Sequence, residues 1–166
     1  HLDFRRQRQM CIRDSGMKLI AHRGNINGPN VDDENTIGQI DKGIENGYDV
    51  EIDLRYDIVS QTFWLGHDKP KNVISFFELA KRSQYLWIHC KDIDTLDFMT
   101  RTNFNYFWHQ NDDYTMTSHG HIWSYPGKTY TPSTVVVMPE ECDISWDILK
   151  VTNCYAVCSD YVSNLK

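Results

Sequence analysis

Three apolar runs of this chain end in ionisable residues. Leu19-Ile20-Ala21 leads into His22-Arg23-Gly24, Phe63-Trp64-Leu65-Gly66 into His67-Asp68, and Leu86-Trp87-Ile88 into His89-Cys90-Lys91. A fourth stretch, Asp49-Val50-Glu51-Ile52-Asp53-Leu54-Arg55, alternates acidic and apolar residues before closing on arginine. Side chains of an extended chain alternate between faces, so Glu51, Asp53 and Arg55 share one face. His89 and Lys91 share another, and Cys90 turns away into packing. Adjacent carboxylates repel unless a divalent cation or an arginine lies between them, and hard oxygen ligands of this kind suit Mg²⁺ or Ca²⁺. Taken alone, the alternation also fits the solvated face of an edge strand. Imidazole titrates near neutrality, so His22 and His67, each at a strand end, form a candidate acid/base couple. Arg23 and Lys91 offer cationic donors suited to phosphate.

These groups need elements to hold them. Val, Ile, Tyr, Phe and Trp content predicts strands at Lys18–His22, Tyr48–Arg55, Thr62–Gly66, Tyr85–Lys91, Asn105–His109, His121–Tyr125, Thr134–Met138 and Tyr155–Ser159. Between the first two, Ile37, Ile40 and Ile44 fall on one face of a helix over Asn35–Asn46 that Gly47 stops. Ser75 and Glu78 have capping-box spacing and open a helix through Ser83; Asp94–Arg101 and Asp143–Val151 supply two more. Strand alternating with helix calls for a parallel sheet, either open or closed into a barrel. Eight full strand–helix units need roughly 190 residues on typical element lengths, more than the chain from Met17 onward holds. The stretches Asn111–Gly120 and Pro126–Ser133 lack a helical stripe, so two crossovers are expected to be loop. The fold class expected is α/β, a compact TIM-type (β/α) barrel with some crossover helices abbreviated to loops.

Of 166 residues, 40% are hydrophobic and 24% charged, which suits one folded domain. The net charge of −6 argues against nucleic acid as a partner. Residues 1–16, with four arginines and no periodicity, read as a non-domain segment, either artefactual or a disordered arm, leaving residues 17–166 as the domain. Without that segment the charge is −8, from 13 Lys+Arg against 21 Asp+Glu. No run approaches the ~20 apolar residues of a membrane span, so stable membrane insertion is not expected and the location expected is cytoplasmic. Five scattered cysteines without a C-x-x-C pair predict reduced thiols rather than a disulfide framework.

The order His22-Arg23-Gly24, Glu34-Asn35-Thr36, Glu51-x-Asp53, His67-Asp68, a strand ending in Lys91, and a closing Ser159-Asp160-Tyr161 resembles the glycerophosphodiester phosphodiesterase family of phospholipase-C-like phosphodiesterases. The resemblance is strongest over Leu19–Asp68. It implies a barrel in which His22 and His67 are the acid/base pair, Arg23 and Lys91 hold the substrate phosphate, and Glu51 and Asp53 bind one divalent metal ion. It also implies attack on phosphorus by the substrate's own glycerol hydroxyl, release of an alcohol, and a place for Glu34 near the site.

Two departures stand out. Where the family has Glu-x-Lys, this chain has His89-x-Lys91, so His89 becomes the third metal ligand and Mn²⁺ or Zn²⁺ joins Mg²⁺ and Ca²⁺ as a candidate. The family's insertion after its His-Asp motif is also short here, which leaves the substrate alcohol open. His109 and Trp123, each ending a later predicted strand, are accessory candidates at the mouth, with Tyr125 as a further wall; packing around Pro126 accounts for them equally. Asp160 fits either a support for the site or an ordinary loop. The function expected is metal-dependent hydrolysis of a small phosphodiester partner. The alternatives are a non-catalytic binder of phosphate ligands on the same scaffold, or a phospholipase of the same superfamily.

Overall fold

The first parallel unit forms as the apolar spacing requires. The computed structural model describes residues 17–166 and places β1 at Lys18–His22, α1 at Ile37–Glu45 and β2 at Asp49–Asp57. Thr36 caps α1 by accepting the Gln39 N–H at 3.1 Å, and the buried Ile40 fixes the helix to the sheet. Ile20 pairs with Asp49 and His22 with Glu51, so the ends of β1 and β2 meet.

After β2 the chain departs from alternation. The Asp57 carboxylate accepts the N–H groups of Val59 and Ser60, Gln61 takes φ 54°, and the chain folds back as β3 (Thr62–Leu65), antiparallel to β2. A second reversal adds β4 (Asn72–Ile74) before α2 (Phe76–Lys81) and β5 (Leu86–Cys90). β5 returns parallel to β2 along its other edge. α3 (Ile93–Met99), capped by Asp92, leads to β6 (Asn105–Phe107), parallel to β5. β7 (Tyr114–Met116) and β8 (Ile122–Ser124) form a hairpin. β9 (Thr134–Val137), α4 (Trp146–Lys150) and β10 (Ala156–Ser159) follow, and β10 lies parallel between β9 and β1.

The result is a curled, mixed, ten-stranded sheet, and this overturns the expected TIM-type barrel. A (β/α) barrel needs a helix after each strand, whereas the described residues hold four α-helices of five to nine residues. Antiparallel turns replace helices after β2 and β3, strand β7 occupies part of 111–120, and 126–133 has no helix. Nor do β6 and β8 pair as strands. Side chains span that gap instead, with Phe107 and Trp123 stacked at 4.5 Å between ring centroids.

Strand alternation then sorts the residues. Ala21, Val50, Ile52, Leu54, Ile88 and Cys90 face outward into the apolar layer beneath the helices. Ile20, Trp87, Phe107, Trp123, Val135 and Cys158 fill the inside of the curl. Above this inner plug, at the carboxyl ends of the parallel strands, lie the polar residues. Cys90, Cys142, Cys154 and Cys158 are free thiols, and no helix of the described residues is long and apolar enough to cross a membrane. Residues 1–16, expected to stand apart from the domain, and Cys11 with them, lie outside the described residues.

Candidate functional site

At the end of β1 the chain turns sharply: Arg23 takes φ 55° and Gly24 φ 86°. A Cβ on Gly24 would lie 2.8 Å from Gln39 Cγ and 3.0 Å from the Gln39 carbonyl, so α1 can approach only a glycine here. The turn aims the Arg23 N–H at Glu51 Oε1 (3.2 Å) and leaves His22 facing the inside of the curl. His22 Nδ1 lies 2.8 Å from Asp160 Oδ1, beyond the end of β10. Asp160 Oδ1 also accepts from Asn25 Nδ2 at 3.0 Å, and its backbone N–H donates to Glu140 at 3.1 Å. With Nδ1–H given to Asp160, Nε2 is the free face of His22.

Glu51 and Asp53 follow on the neighbouring strand, 2% and 1% exposed. Register sets Asp53 beside His89 of β5, with His89 Nδ1 3.2 Å from Asp53 Oδ1 and 4.0 Å from Glu51 Oε2. His89 Nε2 lies 3.0 Å from the His109 carbonyl, which can only accept. Nε2 therefore donates to it, and Nδ1 is the ring nitrogen that faces the two carboxylates, the orientation a metal-ligating histidine takes. Asp53 Oδ1 is buried without a hydrogen-bond partner, a costly state unless a cation meets it. Ligands about 2.0–2.5 Å from a shared ion stand roughly 3–4.5 Å from one another; the two His89 separations fall in that range, and all three donors lie within 4.8 Å of one another. Glu51, Asp53 and His89 are thus a group that could hold a metal ion.

His67 enters from the hairpin. Arg55 donates through Nε to the Gly66 carbonyl at 2.9 Å and through Nη2 to the His67 carbonyl, fixing the loop after β3. His67 Nδ1 lies 2.7 Å from Asp68, and its ring lines the same cavity as His22. Lys91, just past β5, lines it too, while Cys90 packs on the far face as alternation required. The cavity measures about 550 Å³. It gathers His22, Arg23, Glu51, Asp53, His67, His89 and Lys91, and its opposite wall includes His109, Trp123 and Tyr125.

The accessory candidates separate. Glu34 does not line the cavity; it holds Arg23 Nη1 at 3.2 Å and Asn25 at 3.4 Å from behind. His109 supports His89 through its main chain, and its ring is tied to Asp112 at 2.8 Å. Trp123 closes the stack that runs from His89 through Phe107. Asp160 belongs to the site. Residue type does not single out Asn25 or Asn35, since amides do not titrate; Asn35 stands out only as the middle of Glu34-Asn35-Thr36 and as an asparagine that tolerates its φ of 55°.

Charge in this space is unevenly settled. Burial and the neighbouring Asp53 push the Glu51 carboxyl up, against the pull of His22, His89 and Arg23. For Asp53 burial acts the same way, but His89, Asn35 and Arg23 outweigh it and hold its carboxyl well below the usual range. His22 is lowered by burial yet raised further by Asp160 and Glu51, for a net upward shift, whereas burial lowers His67. Two imidazoles pushed in opposite directions separate their protonation states near neutrality, which is what paired proton transfer requires. Set against protein-family models, curated proteins and solved structures, the chain matches none.

Proposed function

We propose that this protein is a metal-dependent phosphodiesterase that hydrolyses a small phosphodiester, of the type its sequence resembles in the glycerophosphodiester phosphodiesterases. The observation that carries the reading is the convergence of two imidazoles, two cationic side chains and a carboxylate–carboxylate–imidazole group on one open cavity. These residues come from β1, β2, β3 and β5 or the turns directly after them.

Arg23 and Lys91 take the phosphate oxygens as cationic donors. A divalent ion held by Glu51, Asp53 and His89 would neutralise charge on the phosphoryl group. The mixed oxygen and nitrogen donors favour Mn²⁺ or Zn²⁺ alongside Mg²⁺ and Ca²⁺. One histidine of the His22–His67 pair accepts the proton of the attacking substrate hydroxyl as the new P–O bond forms, and the other gives a proton to the alcohol whose P–O bond breaks. With the two roles exchanged, water then attacks the cyclic phosphodiester, one ring P–O bond breaks and the substrate hydroxyl is restored, which completes the hydrolysis. Asp160 holds His22 with Nε2 towards the cavity. The wall of Trp123 and Tyr125 gives the alcohol an apolar surface.

The test is release of alcohol from glycerophosphocholine and from a chromogenic phosphodiester, with Mg²⁺, Ca²⁺, Mn²⁺, Zn²⁺ or chelator, beside Glu51→Gln and His22→Ala. Metal-dependent turnover lost in both variants supports the reading. Equal inactivity of all three proteins with every ion, while a phosphodiester still raises the melting temperature, replaces it with a phosphate-ligand binder.

A further inference from the structure

The reaction above gives Asn35 no role, yet few residues are held so firmly. It is 1% exposed, directly before the cap of α1, with its backbone at φ 55°. Asparagine tolerates that left-handed region better than other residues with a side chain. Its N–H donates to the Arg23 carbonyl at 3.0 Å, and its carbonyl accepts from Asn72 Nδ2 at 3.0 Å. The main chain is thus pinned from both sides.

The side chain so anchored meets Asp53 twice. Asn35 Nδ2 donates to Asp53 Oδ2 at 3.0 Å, and Asn35 Oδ1 accepts the Asp53 backbone N–H at 3.0 Å. An amide has both a donor and an acceptor, and this contact uses one of each. It fixes the rotation of the carboxylate, with Oδ2 engaged and Oδ1 left without a hydrogen bond beside His89 Nδ1. A competitor for that carboxylate lies close: Arg23 Nε, itself buried without a hydrogen-bond partner, is 3.4 Å from Oδ2. A carboxylate freed from Asn35 would rotate towards the guanidinium and close a hydrogen-bonded ion pair.

We infer that Asn35 is the positioning residue of the cation site: it commits Asp53 Oδ1 to an ion shared with Glu51 and His89, and holds Asp53 Oδ2 at the 3.4 Å ion pair with Arg23 rather than in a hydrogen bond to it. This rests on the metal-site reading above. Outer partners that orient metal ligands are worth about 10–100-fold in affinity, and that is the effect expected here.

The experiment is calorimetric titration of Mn²⁺ and of Zn²⁺ into the chelator-treated full chain, with thermal unfolding of the metal-free proteins alongside. Asn35→Gly keeps the backbone conformation and removes the amide; Asn72→Ala loosens Asn35 from outside the site and covers the case in which the glycine variant does not fold. Binding of one ion by the wild type, weakened about 10–100-fold in Asn35→Gly and several-fold in Asn72→Ala, supports the inference. Wild-type affinity in folded variants, with only the melting temperature lowered, overturns it and leaves the metal site standing. Absence of ion binding by the wild type removes the metal site and the inference together.

Discussion

Three carboxylates stand on one face of β2, and they are treated differently. Asp49, at the start of the strand, meets Lys18 Nζ at 3.2 Å and Trp87 Nε1 at 2.9 Å, both on Oδ2. Its charge is answered by a lysine from the next strand, at the end of the curl away from the cavity. Glu51 and Asp53, two and four residues on, have no lysine against them and open into the cavity. Their counter-charges are histidines and a single arginine. Spacing is the same along the strand, but one carboxylate is closed off by a lysine and an indole, and two face a cavity where they could hold a metal ion.

Exchanging charge for amide at each end should separate the two most widely. Glu51→Gln should lower turnover about a hundredfold or more, comparable to losing a key electrostatic contact to the transition state. Because burial and Asp53 raise the Glu51 carboxyl, ionised Glu51 destabilises the metal-free fold at neutral pH, and the same variant should melt no lower than wild type in chelator. Asp49→Asn should do the reverse, costing about 2 kcal/mol, or about 4–8 °C, with ion affinity unchanged. Melting curves and calorimetry on both proteins check the pair of signs.

A smaller effect should follow from Gly66→Ala. Its backbone stands at φ 155°, and a Cβ would lie 2.0 Å from the Lys69 carbonyl, so the loop that Arg55 clamps must shift and carry His67 with it. Turnover should fall about tenfold to a hundredfold, by loss of one proton-transfer group, while ion affinity holds. Equal losses in both would place His67 at the ion instead.

The smallest effect concerns the hydrogen-bonded pair that holds His22. His22 is raised above its ordinary 6.5, so the pair's contribution is full below about pH 6.5 and fades as pH rises through the folded value. Asp160, whose burial is outweighed by its bonds to His22 and Asn25, is lowered, so its contribution is present above about pH 4 and fades in acid. Asp160→Asn should therefore melt lower than wild type by about 1 kcal/mol near pH 5.5, and the gap should narrow towards pH 8. A gap independent of pH would show that the aspartate acts by packing rather than charge.

All eight expected strands exist, and so do all four helices, because each rests on local patterning: Val-Val-Val at 135–137, the isoleucine stripe of α1, the Ser75 cap. The side of each residue was legible as well. Period-two alternation places Glu51 with Asp53 and His89 opposite Cys90. How the strands join was not legible. An apolar run at Thr62–Leu65 looks the same whether it returns antiparallel after a tight turn or arrives parallel after a helix, and the choice at residues 57–61 turned the expected barrel into a curled mixed sheet.

The sequence by itself therefore determined which groups are available and which face of its strand each one occupies, since both follow from residue type and backbone period. Tertiary structure alone decided which of them meet. Asp49 and Asp53 are the same residue on the same face, and only register sets one beside Lys18 and Trp87 and the other beside His89 and Asn35. Pairing across strands depends on non-local contacts that no single window contains, and there the difference between a carboxylate closed by a lysine and one that faces the cavity arises.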